Sequence, residues 1–360
     1  MKIKSIYAYS KNLALKRPYT ITRSTIDHTE NVFFEVELEN GMKGVGSACP
    51  EFAVVGESSE QTLKNLLSED VAKLIGSDIR QFLFLISSYR SRFAGFPGTQ
   101  AAIDIALHDI FGQFLGIPVV DFYGRMHKKM ITSVTIGIKG VKETMEDAKE
   151  FYEKGFKALK IKTGLDVETD AERVIKLREK YGNYFAIRVD ANTGYDAKQL
   201  KQFLDKTAIE NVELVEQPFL PGMEDVLMRF PKKTRALFTA DESLKDARSA
   251  LQLAQQGAFG IFNIKLMKCG GICGAMEIAT IAQQADISLF WGCNDESVIG
   301  ITAALHAAFA CEHTRYIDLD GSFDLAEDVA ENGFILEDGY MFPNDRPGLG
   351  LMYRQFKTIY

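Results

Sequence analysis

The sequence predicts an α/β protein in which a parallel β/α barrel follows an α+β domain. From about residue 130, short runs rich in β-branched and apolar residues alternate with amphipathic helical stretches. There are eight such runs with helical spacers between them, the number that closes a parallel barrel. Charged residues end consecutive runs, at Lys162, Asp190, Glu216, Asp241 and Lys265, at intervals of 24 to 28 residues. Each interval has the length of one strand, one helix and two loops.

The elements follow in order. Residues 2–8 and 31–38 (N-V-F-F-E-V-E-L) read as strands, the turn E-N-G-M-K-G leads the second into another short strand, and helical periodicity runs from 57 to 116. This is an α+β domain over residues 1–125. Barrel strands are predicted at 133–138, 156–162, 185–190, 212–216, 237–241, 261–265, 287–292 and 315–318, giving a barrel over 126–324. Strand-like residues after about 325 are expected to return to the first domain and complete it to residue 360.

Composition narrows the function. The 360 residues are 46% hydrophobic, 25% charged and 11% aromatic, an ordinary soluble balance with enough apolar residues for a large core. A net charge of −7 without a basic stripe argues against a nucleic-acid partner. Lysines interrupt the N-terminal M-K-I-K-S-I, and no segment approaches the ~20 apolar residues of a membrane span, so a cytoplasmic protein without membrane contact is expected. Cys49, Cys269, Cys273, Cys293 and Cys311 lack a zinc-finger or disulfide pattern and read as reduced thiols. The five histidines are scattered with no nucleophile at a strand end, against a triad hydrolase. The C-G-G-I-C-G run lacks the lysine and serine of a phosphate loop.

In a β/α barrel the C-terminal ends of successive strands converge on one mouth. Asp190, Glu216 and Asp241 would there repel one another unless a cation lay between them. Three oxygen ligands suit a hard ion, and Mg2+ is the expected cofactor. The competing reading, that each acid caps the helix after its strand, accounts for any one of them but poorly for all three in register. Lys160 and Lys162, two apart on one strand, share a face, and Lys265 lies across the mouth. A lysine becomes a base when a neighbouring ammonium or metal ion lowers its pKa, so Lys160 would tune Lys162. A carboxylate held on a metal ion has an acidified α-hydrogen, which one lysine could remove and the other return on the opposite face. The alternative for these lysines is a solvated surface role.

The motifs K-I-K, V-D-A-N-T-G, V-E-Q-P, A-D-E-S and N-I-K-L-M-K-C-G-G, in that order, with A-A-I-D-I-A-L-H-D-I-F-G at 101–112, resemble the muconate-lactonizing-enzyme subgroup of the enolase superfamily over nearly the whole chain. The resemblance implies a modified (β/α)7β TIM-like barrel with an N-terminal α+β capping domain. It implies Mg2+ on Asp190, Glu216 and Asp241, Lys162 and Lys265 as acid and base, and a supporting role for Glu296 in G-C-N-D-E-S. Asn294 and Asp295 are more polar than is usual in this subgroup and are expected to reshape the pocket.

Asp318 and Asp320, in I-D-L-D-G after the last strand, resemble the pair with which dipeptide epimerases bind the α-ammonium of their substrate. Thr135, in the first barrel strand, joins them as a substrate-binding candidate. The implied activity is a Mg2+-dependent epimerisation at the C-terminal residue of a dipeptide. The alternatives are a cycloisomerase of the muconate type or an o-succinylbenzoate-synthase-like lyase. Paired aspartates would repel a cycloisomerase's dicarboxylate. A catalytically silent binding barrel is a further alternative, against which the intact lysines and acids argue. The loop R-P-Y-T-I-T-R-S-T at 17–25 resembles a specificity loop, in which Arg23 would suit an acidic side chain and Tyr19 and Ile21 an apolar one. Barrels of this type often form homo-oligomers, and no segment fixes a subunit number.

Overall fold

The computed structural model describes residues 1–20, 25–207 and 211–353. An antiparallel sheet opens the chain, with β1 (Ile3–Thr20), β2 (Thr25–Leu38) and β3 (Lys43–Ala48) in sequence order. Both long strands exceed the predicted ones, because the β1–β2 ladder continues past a register shift between Ala14 and Tyr19. Helices α1 (Phe52–Val55), α2 (Ser59–Leu66), α3 (Glu69–Ala72), α4 (Phe82–Arg92) and α5 (Pro97–Leu115) follow. Helix α5 is buried nearly all round and packs on the sheet through glycines: a Cβ on Gly46 would lie 1.9 Å from the Ala102 carbonyl oxygen.

After the short β4 (Met130–Ile131) come the barrel strands β5 (Ser133–Ile136), β6 (Ala158–Lys162), β7 (Ala186–Asp190), β8 (Val212–Glu216), β9 (Phe238–Ala240), β10 (Ile261–Ile264), β11 (Ser288–Trp291) and β12 (Thr314–Ile317). They form one parallel sheet in sequence order, and a parallel bridge between Thr132 and Ile317 joins its two edges. The sequence thus located all eight strands to within about two residues at either end. Strands buried on both faces read as continuous apolar runs, which made them visible.

The crossovers are α6 (Val141–Glu153), α7 (Val167–Tyr181), α8 (Ala197–Thr207), the short α9 (Glu224–Leu227) and α10 (Lys232–Arg235), α11 (Ala247–Gln256), α12 (Leu266–Cys269) with α13 (Ile272–Gln284), and α14 (Val298–Phe309). The β8–β9 connection carries two single turns in place of a long amphipathic helix, since Pro218, Pro221, Gly222 and Pro231 interrupt the segment. Aspartates and serines fix helix starts: Asp166 accepts from Thr169 N, and Asp246 forms a capping box with Ser249.

Beyond the barrel lie β13 (Ala330–Glu331), β14 (Phe334–Glu337), β15 (Tyr340–Pro343) and β16 (Met352–Tyr353). The β14–β15 hairpin pairs with β4 at the start of the barrel. The residues after it meet the first domain: Asp109 of α5 accepts from Leu349 N (2.8 Å), Tyr353 OH (2.6 Å) and Val45 N (3.0 Å). One buried carboxylate therefore ties β3, α5 and the C-terminal segment together.

Substituting Gly46 with alanine should destabilise the protein by about 1–3 kcal/mol, because the α5 backbone cannot retreat from the sheet without opening the core. Urea denaturation checks this, and an unchanged midpoint would contradict the packing described.

Candidate active site

The parallel register decides where the charges go. Lys162 pairs with Asp190 across β6 and β7, and Asp190 with Glu216 across β7 and β8, so three functional side chains stand in one row at the mouth. Asp241 and Lys265 immediately follow the short β9 and β10. Asp190, Glu216 and Asp241 are 1%, 0% and 3% exposed, far below the usual exposure of acids.

Lys162 donates to Asp190 Oδ2 (2.7 Å) and Asn192 Oδ1 (3.0 Å). Asn192 and Thr193 occupy left-handed backbone at φ 41° and 65°, a turn that swings the Asn192 amide back toward the lysine. Lys160 is deeper. It bonds Asp318 Oδ2 and lies 3.9 Å from both Asp190 Oδ2 and Glu216 Oε2. Burial pulls the Lys160 pKa down, but Asp318, Glu216 and Asp190 outweigh it and hold the amine well above its usual range. Lys160 is a fixed cation beside Lys162.

Across the mouth Lys265 lies 3.0 Å from Asp241 Oδ2, and Lys268 binds Asp241 Oδ1 together with the Asp241 carbonyl (2.6 Å). Burial depresses the Lys265 pKa, yet Asp241 and Glu216 raise it further, so the ammonium is favoured. A divalent cation drawing on the same carboxylates would reverse that balance. Lys268 was not anticipated. Its i, i+3 spacing from Lys265 over one helical turn could have revealed it.

Glu216 is the test of whether a cation fits. Its Oε1 accepts from Asn263 Nδ2 (2.7 Å), but its buried Oε2 has no hydrogen-bond partner among the described residues. Burial and Asp190 push its pKa up to about 8, and burial with Asp241 and Asp190 pushes neighbouring Glu242 up to about 7. An orphaned buried oxygen amid all-oxygen donors fits a hard divalent ion.

Asp318 and Asp320 differ in availability. Asp318 is 1% exposed and takes hydrogen bonds from Lys160 and Ser133 Oγ. Asp320 accepts from Thr135 N (2.8 Å), so the backbone of Thr135 positions it. Burial and Asp318 push its pKa up to about 7. Glu296 is buried, pushed up to about 7 by burial, and accepts from Asn294 N (2.9 Å). Asn294 donates to the Cys49 carbonyl (2.8 Å), and the Asp295 carbonyl accepts from Thr29 Oγ1 (2.9 Å) and Asn31 Nδ2 (3.2 Å). The Asn294 side chain and the Asp295 backbone thus fasten the loop to the first domain. Arg23 and Ile21 lie outside the described residues, as does the side chain of Tyr19.

Lys160, Lys162, Asp241, Lys265, Asp318 and Asp320 line a cavity of about 520 Å³, to which the first domain contributes Cys49, Glu51, Val54 and Ser59. Such a volume suits a molecule of a few residues.

Residues 3–124 match the model of the mandelate racemase/muconate lactonizing enzyme N-terminal domain, and residues 143–357 match the enolase C-terminal domain-like model. The chain belongs to the mandelate racemase/muconate lactonizing enzyme family. Within it, the chain is 47% identical over 353 residues to an L-Lys-D/L-Arg epimerase of Desulforapulum autotrophicum, covering 98% of this chain and 99% of the relative. It is also 47% identical over 355 residues to an L-Lys-D/L-Arg epimerase of Methylococcus capsulatus, covering 98% and 99%. A crystal structure of a dipeptide epimerase from Methylococcus capsulatus, complexed with Mg and the dipeptide L-Arg-D-Lys, matches with a TM-score of 0.95 at 47% identity, covering 98% of this chain and 100% of that one.

Ligand binding through Asp320 requires its ionised form, and its carboxyl is pushed up to about 7. KM for an ammonium-bearing substrate should therefore rise as the pH falls through about 7, and a KM flat from well below to well above that pH would remove Asp320 from binding.

Proposed function

We propose that this protein is a Mg2+-dependent dipeptide epimerase that inverts the α-carbon of the C-terminal residue by two-base 1,1-proton transfer. The observation that carries the reading is the orphaned Glu216 Oε2, set in a row of buried acids with lysines on both sides. Asp190, Glu216 and Asp241 would hold the Mg2+, which when bound lowers the pKa of the substrate's α-hydrogen by stabilising the enediolate. Lys162 removes or returns the proton from one face and Lys265 from the other. Lys160 stays protonated and keeps a fixed positive charge beside Lys162. Asp320, oriented by Thr135, holds the substrate's α-ammonium, and Asp318 fixes Lys160. Glu296 holds the loop after β11 in place.

Relatives named for Lys and Arg substrates support basic side chains for this protein's dipeptide. So does the charge of the cavity. Its Arg17 is bound bidentately by Glu150 (2.7 and 2.8 Å), and its Lys139 is paired with Asp147. Glu51 and Asp295 also line the cavity, and after Glu296 they add to burial in raising the Cys49 thiol pKa. A dipeptide with basic side chains would offer no acidic partner to Arg23. Residues 1–125 with the C-terminal segment act as the cap and 126–324 as the catalytic barrel. The enzyme works in the cytoplasm on free dipeptides: its five cysteines are unpaired, and no helix among the described residues is long and apolar enough to cross a membrane.

In deuterated water, Lys- and Arg-containing dipeptides should gain deuterium at the C-terminal α-carbon, and Ala-Glu should exchange far less. Lys162→Ala should abolish exchange from one epimer. Absence of exchange with every dipeptide tried would sink the epimerase reading, and a preference for the acidic dipeptide would sink the assignment of side chain.

A further inference from the structure

Helix α5 belongs to the first domain, yet it reaches the loop that carries Lys265. Its N-terminus is capped by Glu57, which accepts from Gly98 N (2.6 Å), Thr99 N (3.0 Å) and Thr99 Oγ1 (2.6 Å). Glu57 closes the segment whose Cys49, Glu51 and Val54 line the cavity. Farther along α5, the fully buried Asp104 faces the barrel. Its Oδ1 accepts from Ile272 N (2.7 Å) and its Oδ2 from Cys273 N (3.1 Å), the first two amides of α13. His108 Nδ1 lies 3.1 Å from Oδ1 and supports the same carboxylate.

Asp104, His108 and Cys273 bring potential ligand atoms within 4.8 Å of one another, as metal sites do. Both Asp104 oxygens are already committed to backbone amides, so the cluster is an interdomain helix cap. What it holds is informative. Between Lys265 and Ile272 the chain makes the single turn α12 and then passes through Gly270 and Gly271 in left-handed backbone, φ 80° and 96°. A Cβ on Gly271 would lie 2.6 Å from Asp104 Cβ, so the turn is pressed against the capping side chain. The amides of Lys268, Gly270 and Gly271 close back on Lys265 and Leu266. A second grip comes from Cys49 N, which donates to Met267 Sδ (3.2 Å). The turn that follows Lys265 is thus held from the first domain.

We propose that Asp104 is a positioning residue for proton transfer at Lys265: capping α13 across the domain boundary aims the Lys265 amine, and α5 links that aim to the cavity-lining segment capped by Glu57. The proposal rests on the two-base reading above. A catalytic group displaced by about 1 Å can cost about 100-fold in rate, and loss of the cap should act on one proton transfer only.

The test measures solvent deuterium incorporation separately from each epimer of one dipeptide, in the wild type and in Lys265→Ala, Asp104→Ala and Asp104→Asn. Lys265→Ala identifies the epimer whose exchange needs Lys265; if it slows neither selectively, the two-base reading itself fails. Given that selectivity, Asp104→Ala should slow the same epimer at least about 10-fold more than the other, with Asp104→Asn, which keeps one acceptor, in between. Parallel loss of both exchange reactions, or loss of neither, overturns the proposal. If the alanine variant does not fold, the asparagine variant alone decides, by whether the same asymmetry is present.

Discussion

Burying like charges side by side is the constraint on which the mouth of this barrel depends. Asp190, Glu216 and Asp241 are nearly inaccessible to water, with Glu242, Asp318 and Asp320 close by. Desolvation alone would leave such acids protonated. The chain answers acid by acid: Lys160 and Ser133 for Asp318, Lys268 for Asp241, Lys162 for Asp190. The answers run out at Glu216 and Glu242, whose carboxyls burial pushes up to about 8 and 7. Positive charge is short where the strand ends meet, which is where a divalent cation is proposed. Lysines that pair with the acids in the protein alone are then those released to face a substrate.

This explains why so much was legible in the sequence. Regular spacing of charged residues at the ends of apolar runs survives any uncertainty of a residue or two in strand boundaries, because parallel pairing brings equivalent ends to one level. The acids, both proposed bases and the Lys160 pair were all visible in that way. The β8–β9 connection was less regular than a barrel template suggests, since its prolines limit helices to single turns.

What the sequence did not reveal is the partner of each residue that acts across the domain boundary. Asn31 and Thr29 hold the loop of Asn294 and Asp295, and Asp104 caps a helix 168 residues away. No local periodicity encodes such pairs, because each partner reads as an ordinary polar residue of its own element. Asp318 and Asp320 looked equivalent by spacing. The structure separates them, since only one stands opposite the buried Lys160.

The same cross-boundary ties set the cavity wall beside the buried charges. The loop after β11 is anchored through the Asp295 carbonyl and the Asn294 side chain. Glu296 is held in the same loop by the Asn294 amide, with Asp295 adding to the negative field around it. Glu51 likewise lies in an exposed stretch whose end, at Glu57, is fixed by the cap of α5. Charge on this wall reaches the buried row beneath it, since Glu51 adds to the field that raises the Lys265 pKa. A wall charge that favours basic side chains would therefore also act on the Lys265 amine.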